Sequence, residues 1–207
     1  MKSEEHWEQV YKTKPTDSLS WFQEHALRSK RLIKQTGVRL SAPIIDVGGG
    51  ASTLVDDLLA DGYSNLTILD LSSAALTETK NRLGSILSKE VQWLEANILD
   101  AELTPHAYEI WHDRAVFHFL TAKEDRQQYV QAVIKAVMPG GYFIIATFAE
   151  DGPNQCGGLP AMRYSANELH AEFGDSFALL QHENESHRTP SGITQQFMYC
   201  SFQKLVR

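Results

Sequence analysis

An acid, a run of glycines and a serine stand together at Asp46-Val47-Gly48-Gly49-Gly50-Ala51-Ser52, directly after the apolar pair Ile44-Ile45. Glycines let a backbone approach a ligand closely and take conformations barred to other residues, and a helix start beyond them offers unpaired amide donors. Such a strand-to-helix turn suits a nucleotide-like cofactor. Asp46, just before the glycines, suits a ligand ammonium, and Asp70, closing the apolar run Leu66-Thr67-Ile68-Leu69, suits a ribose diol with its two hydroxyl donors. Two cofactors compete for this pattern. Gly48, Gly50 and an acid about twenty residues on begin a dinucleotide fingerprint, but that fingerprint wants a third glycine where Thr53 stands and has no use for Asp46. S-adenosylmethionine carries both the ammonium and the diol. The plainer alternative is a tight turn in an α/β domain, with Asp70 capping a helix that starts near Ser72.

These residues resemble the first motif of the class I S-adenosylmethionine-dependent methyltransferases, an acid followed by G-x-G-x-G, with Ser52 in place of the last glycine. A small residue keeps that space open, and a serine can cap the helix carrying Leu54, Val55, Leu58 and Leu59. The resemblance implies that Asp46, Gly48, Gly49, Gly50, Asp70 and Leu71 hold S-adenosylmethionine. It also puts Asn97 and Ile98 against the adenine, Asn97 replacing the commoner acid with an amide whose oxygen can still accept a hydrogen bond. In Trp111-His112-Asp113-Arg114-Ala115-Val116-Phe117-His118-Phe119-Leu120 it implies that Asp113 orients the methionine end of the cofactor, with Arg114 beside it and His118 close to the transferring methyl. Asp113 and Arg114 pairing with each other, and His118 as a core histidine, are the structural alternatives.

The N-terminal stretch carries His6-Trp7-Glu8-Gln9-Val10-Tyr11 and Leu19-Ser20-Trp21-Phe22-Gln23, ahead of a helix expected to place Phe22, Ala26 and Ile33 on one side. Trp7 and Tyr11, four apart, can share a helix face. The aromatics either pack onto the sheet or form a lid that brings Trp21 to the cofactor. The W-x-x-x-Y element and the serine-tryptophan-aromatic-glutamine run resemble small enzymes that include citrate synthase lysine methyltransferase. From the histidine-aspartate-arginine segment to the closing His187-Arg188-Thr189-Pro190, the chain is similar to a group of small bacterial methyltransferases.

Methyl transfer from a sulfonium is a single displacement, so the protein must chiefly align an unprotonated nucleophile with the methyl group. A base is needed only for a protonated acceptor, and His118, His112 and His187 are its candidates. The long polar loop over 148–160 should rim the pocket. Within and beyond it, Cys156, Arg163, His187 and Arg188 join Arg114 as candidate acceptor-binding residues, the arginines being able to grip a carboxylate with two bonds. Cys156 is a reactive thiol or an incidental one. A small-molecule acceptor leads, a protein lysine is the alternative, and a noncatalytic or NAD-linked protein stands behind both.

Positioning these residues calls for alternating strands and helices around a mostly parallel sheet. Strands are expected near 43–47, 66–70, 90–95, 108–112, 141–148, 177–186 and 194–203. Thr121 with Glu124 and Ser165 with Glu168 fit capping boxes, Val130, Val133, Ile134 and Val137 give one helical face, and Pro139-Gly140-Gly141 ends that helix. Thr189-Pro190-Ser191-Gly192 is too short for a crossover, so the last two strands should form an antiparallel hairpin. The expected fold is α/β, a Rossmann-like seven-stranded mostly parallel sheet with an antiparallel last strand, helices on both faces and an N-terminal helical lid. One domain over 1–207 is expected, divided into a lid at 1–40 and a core at 41–207.

With 207 residues, 43% hydrophobic and 22% charged, the composition is that of an ordinary globular chain. A formal net charge of −7 disfavours nucleic acid as partner, and the cluster Arg28, Lys30, Arg31, Lys34 reads as a solvated helix face. No apolar run is long enough to span a bilayer, and the polar, acidic Met1-Lys2-Ser3-Glu4-Glu5 does not read as a signal peptide, so a cytoplasmic setting is expected. Cys156 and Cys200 give no disulfide framework, and the histidines are scattered, so no metal is expected.

Overall fold

The computed structural model describes residues 2–206. In chain order the elements are α1 (Lys2–Thr13), α2 (Leu27–Gln35), β1 (Ile44–Val47), α3 (Leu54–Ala60), β2 (Leu66–Asp70), α4 (Ser73–Leu87), β3 (Val91–Glu95) and β4 (Tyr108–Arg114). They continue with α5 (Lys123–Ala136), β5 (Val137–Phe148), the short pair β6 (Gln155–Cys156) and β7 (Leu159–Pro160), α6 (Ala166–Phe173), β8 (Phe177–Arg188) and β9 (Thr194–Lys204). The seven-stranded sheet runs β3-β2-β1-β4-β5-β9-β8, with β9 antiparallel to both neighbours and the strands from β3 to β5 parallel. This is the expected Rossmann-like sheet with its reversed last strand.

Alternation along each strand supplies two apolar faces, so helices must cover both. Ile45, Val47, Trp111, Phe143 and Ile145 face a core with Tyr129, Val130 and Val133 of α5 and Leu169 and Phe173 of α6. Ile44, Ile110, Ile144 and Ala146 face the other, with Leu32 and Ile33 of α2, Leu54, Val55 and Leu58 of α3 and Leu76 of α4. Asp46 and His112, paired in register on the adjacent strands β1 and β4, are two residues beyond Ile44 and Ile110 and so share the α2–α3 face. Asp113 shares the α5 face with Trp111. That alternation decides which of the polar residues reach the site.

Several boundaries differ from expectation. The Ser165–Glu168 capping box forms, whereas the N-cap of α5 is Ala122, which provides no side-chain cap, so the expected Thr121–Glu124 box does not form. β5 starts at Val137, because Met138, Pro139 and Gly140 are accommodated in a register shift between Tyr108 and Ile110 rather than ending outside the sheet. Phe22 and Ala26 precede α2, whose buried face is Ser29, Leu32 and Ile33. The basic cluster on α2 is neutralised within the molecule: Arg28 and Arg31 pair with Glu183, and Lys30 and Lys34 pair with Asp61. Among the described residues no helix is long and apolar enough to cross a membrane.

Candidate functional site

Outside the carboxyl ends of β1 to β4, where parallel sheets bind ligands, lies a cavity of about 350 Å³. Its floor is the turn after β1. Gly48 has φ +72°, and a Cβ there would run into the side chain of Val116; at Gly49 it would meet the Asp46 carboxylate, and at Gly50 it would lie 2.5 Å from Asp70 Oδ2. The glycines thus let the turn close on its two acids. Gly48 lines the cavity, while Gly49 and Gly50 lie behind it as the reason the loop fits.

Both acids are buried and differently used. Asp70 accepts from the Gly50 amide at 3.0 Å and the Ser72 amide at 2.9 Å, and burial raises its pKa to about 6 against those bonds. Asp46 accepts from His112 Nδ1 at 2.6 Å through Oδ1, and its Oδ2 is buried without a hydrogen-bond partner among the described residues. A buried carboxylate oxygen left open costs free energy unless a donor arrives, which is the provision an ammonium-bearing ligand requires. Leu71, Asn97 and Ile98 also line the cavity. Asn97 uses its oxygen to accept from the Leu99 amide at 3.1 Å and its amide to donate to Asp100, so it shapes the turn after β3 as well. The two acceptor carboxylates and the glycine cradle fit S-adenosylmethionine.

Above the floor sit α1, the segment 19–23 and the β6–β7 hairpin. Glu8 of α1 accepts from Ser72 Oγ at 2.7 Å, Ser73 Oγ at 3.1 Å and the Ala74 amide at 3.0 Å, capping α4 beside Asp70. These bonds, the Ala74 amide foremost, hold its pKa down to about 2. Trp7 packs edge-on against Trp21 and Phe119, and a Cβ at Gly157 would lie 2.8 Å from its ring. His6 Nε2 is 2.8 Å from the Gly157 carbonyl, and Trp21 Nε1 donates to Tyr11 Oη. Trp7, Tyr11, Trp21, Phe119 and Cys156 all line the cavity, and Trp21 and Phe119 also pack against the core on the α2–α3 face of the sheet.

Arg114 anchors this roof from below. Its Nε donates to Tyr199 Oη at 2.9 Å and its Nη1 to the Trp21 carbonyl at 3.0 Å, with the guanidinium over the Phe197 ring. His187 meets the Ser20 carbonyl through Nε2 at 2.8 Å, and burial lowers its pKa. It holds the segment and does not line the cavity.

Four further expectations change on the same geometry. Asp113 is fully buried on the α5 face, accepting from Tyr129 Oη at 2.5 Å and from the amides of Val116 and Phe117 at 2.8 and 3.0 Å. It fixes the turn after β4 and does not reach the cavity. His118 is fully buried between Phe119 and Phe148 with neither ring nitrogen hydrogen-bonded among the described residues, and burial pushes its pKa down to about 3. A proton-transfer role needs access to substrate, and the Phe119 side of the wall intervenes. Arg163 and Arg188 are exposed and lie outside the cavity, because each belongs to an outward-facing position. Cys156 does line it, but burial raises the thiol to about 11, which keeps it protonated and unreactive at neutral pH. Ser29 is among the cavity residues that the sequence does not signal, and His112, expected only as a candidate base, holds Asp46. We expect His118→Phe to change methyl-transfer turnover by less than about threefold, whereas loss of a general base would cost about a hundredfold or more in kcat.

Comparison with known proteins bears on this site. A family model described as a methyltransferase domain matches residues 45–143, the stretch from β1 into β5. EEF1A lysine methyltransferase 2 of Homo sapiens is 25% identical over 195 residues, 86% of this chain and 75% of that protein. The Danio rerio protein of that name is 29% identical over 133 residues, 61% of this chain and only 57% of its own length. Among solved structures, Burkholderia thailandensis 1,6-didemethyltoxoflavin-N1-methyltransferase, with 1,6-didemethyltoxoflavin and S-adenosylhomocysteine bound, has a TM-score of 0.71 at 16% identity. The match covers 99% of this chain and 85% of that one. At that identity it speaks to the fold.

Proposed function

We propose that the chain is a class I S-adenosylmethionine-dependent methyltransferase and that it methylates a small molecule taken up in the cofactor cavity beneath α1 and the segment 19–23. The supporting observation is enclosure: α1, the segment 19–23 and the β6–β7 hairpin cover a cavity of about 350 Å³, near the lower end of ligand pockets. Bound S-adenosylmethionine supplies an already activated methyl group. Asp46 and Asp70 would hold its ammonium and ribose, and Leu71, Asn97 and Ile98 would border its base.

What the remaining residues do is position the acceptor and exclude water. Trp7, Trp21 and Phe119 present apolar surface, and Arg114 lines the cavity with its guanidinium held by Tyr199, by the Trp21 carbonyl and by Glu185, 3.7 Å from Nη2. Among the described residues the only cavity-lining histidine, His112, is engaged at both nitrogens. The acceptor therefore brings its own lone pair, and alignment rather than base catalysis carries the rate. A second reading, a protein lysine, is favoured by the relatives named EEF1A lysine methyltransferase 2; it requires the roof to part and admit a thin side chain.

Incubating the protein with methyl-labelled S-adenosylmethionine and a desalted or undesalted bacterial extract separates the two. Label in the extractable small-molecule fraction, lost on desalting, is expected. Label in the protein fraction that survives desalting and resides in methyl-lysine would replace the first reading with the second.

A further inference from the structure

Asp46 does not stand alone. Behind it, His112 Nδ1 donates to Oδ1 at 2.6 Å, and His112 Nε2 is 2.9 Å from Ser29 Oγ. All three are at least nine-tenths buried, and all three line the cofactor cavity. Ser29 also meets the Tyr199 hydroxyl, which accepts from Arg114 Nε. Since a carboxylate can only accept, His112 Nδ1–H donates to Asp46, and Nε2 of the neutral imidazole then accepts from Ser29 O–H. The series ends on Oδ1 and leaves Oδ2 buried without a hydrogen-bond partner among the described residues, beside Gly49, where any side chain would collide with it.

We propose that Ser29 and His112 are positioning residues for the cofactor's amino-acid end: through this hydrogen-bonded series they lock the Asp46 carboxylate with Oδ2 presented to the cofactor ammonium. The inference rests on the reading of Asp46 as the ammonium partner. Two features go beyond a merely satisfied core histidine. The series consumes one carboxylate oxygen and spares the other, and its far end comes from α2 in the N-terminal segment. That segment therefore completes the cofactor site from within, beyond covering it. Networks of this kind fix a single side-chain orientation more strongly than isolated bonds do.

The test is calorimetric titration of the full chain with two ligands: S-adenosylhomocysteine, and 5′-methylthioadenosine, which keeps the nucleoside but lacks the amino-acid tail. His112→Phe should weaken S-adenosylhomocysteine about tenfold or more and Ser29→Ala about threefold, the scale of charged and neutral hydrogen bonds, with methylthioadenosine unchanged. His112→Asn, whose amide can donate near the Nδ1 position, should recover most of the loss. Equal weakening of both ligands, or no weakening of either in Ser29→Ala and His112→Phe, overturns the proposal. Asp46→Asn separates the premise: if it spares S-adenosylhomocysteine while the wild type binds, the ammonium reading of Asp46 fails and the positioning role falls with it. If Asp46→Asn loses that ligand selectively but the His112 and Ser29 variants do not, only the positioning role fails.

Discussion

Asp70→Ala is expected to weaken S-adenosylhomocysteine binding by about 1–3 kcal/mol, roughly five- to 150-fold, the range for removing a charged hydrogen-bond partner. The carboxylate sits at the end of β2 with amide bonds from Gly50 and Ser72 and leaves lone pairs free toward the cavity it lines. Its pKa, raised by burial to about 6 from 3.8, gives a pH signature with opposite signs in two measurements. A ribose diol needs acceptors, so affinity should fall as pH drops through about 6, approaching tenfold per pH unit well below it if the ionised form alone binds. Stability of the unliganded protein moves the other way. The folded state binds this proton before the unfolded chain does, so the contribution of Asp70 is fully present below about 3.8 and is lost as pH rises through about 6. Asp113, also raised to about 6 by burial, adds to the stability trend but not to the affinity trend. Asp70→Asn should abolish the acidic loss of affinity; a variant that retains it would assign that loss to another group.

Arg114→Ala is expected to cost about 2–4 kcal/mol of unfolding free energy, because it strips a largely buried ion of its partners and leaves theirs unmatched. The guanidinium side chain is only 11% exposed, 3.7 Å from Glu185 and 4.5 Å from the Phe197 ring centroid, with hydrogen bonds to Tyr199 and to the Trp21 carbonyl. It joins β4, β8 and β9 to the segment that roofs the cavity. Urea denaturation gives the magnitude, and hydrogen exchange locates it: protection should fall first in 19–23, where Arg114 and His187 each hold a carbonyl. Lysine at this position keeps the charge but not the fork, so Arg114→Lys should recover less than half. An unchanged urea midpoint in Arg114→Ala would show that the roof is held by the aromatic packing alone.

Much of this was legible in the sequence, and the reasons are local. Each strand of the parallel sheet ends in a residue whose chemistry differs from the apolar run before it, so Asp46, Asp70 and Asn97 could be placed at strand ends by pattern. The short Thr189-Pro190-Ser191-Gly192 connection fixed the sense of the last hairpin. What misled was the fourth strand. His112-Asp113-Arg114-Ala115 reads as a block of functional polar residues, yet period-two alternation sends Asp113 to the α5 face and His112 and Arg114 to the face of Asp46. Register with β1 was the missing fact, and Asp46↔His112 supplies it. Ser29 carried no signal of its own: a serine at i beside Leu32 and Ile33 reads as an ordinary helix face, and only the tertiary placement of α2 over His112 gives it a role. Arg163, just beyond the long loop, and Arg188, at the end of the sixth expected strand, carry charge suited to a carboxylate, but their exposure is not legible in the sequence.

The most direct test is calorimetric titration of the full chain with S-adenosylhomocysteine, with NAD as the parallel ligand. One-to-one binding of S-adenosylhomocysteine, weakened in Asp70→Ala, with no heat from NAD, is the predicted result. Binding of NAD in its place would contradict the assignment of Asp46, Asp70 and the glycine turn to a methyl-donor site.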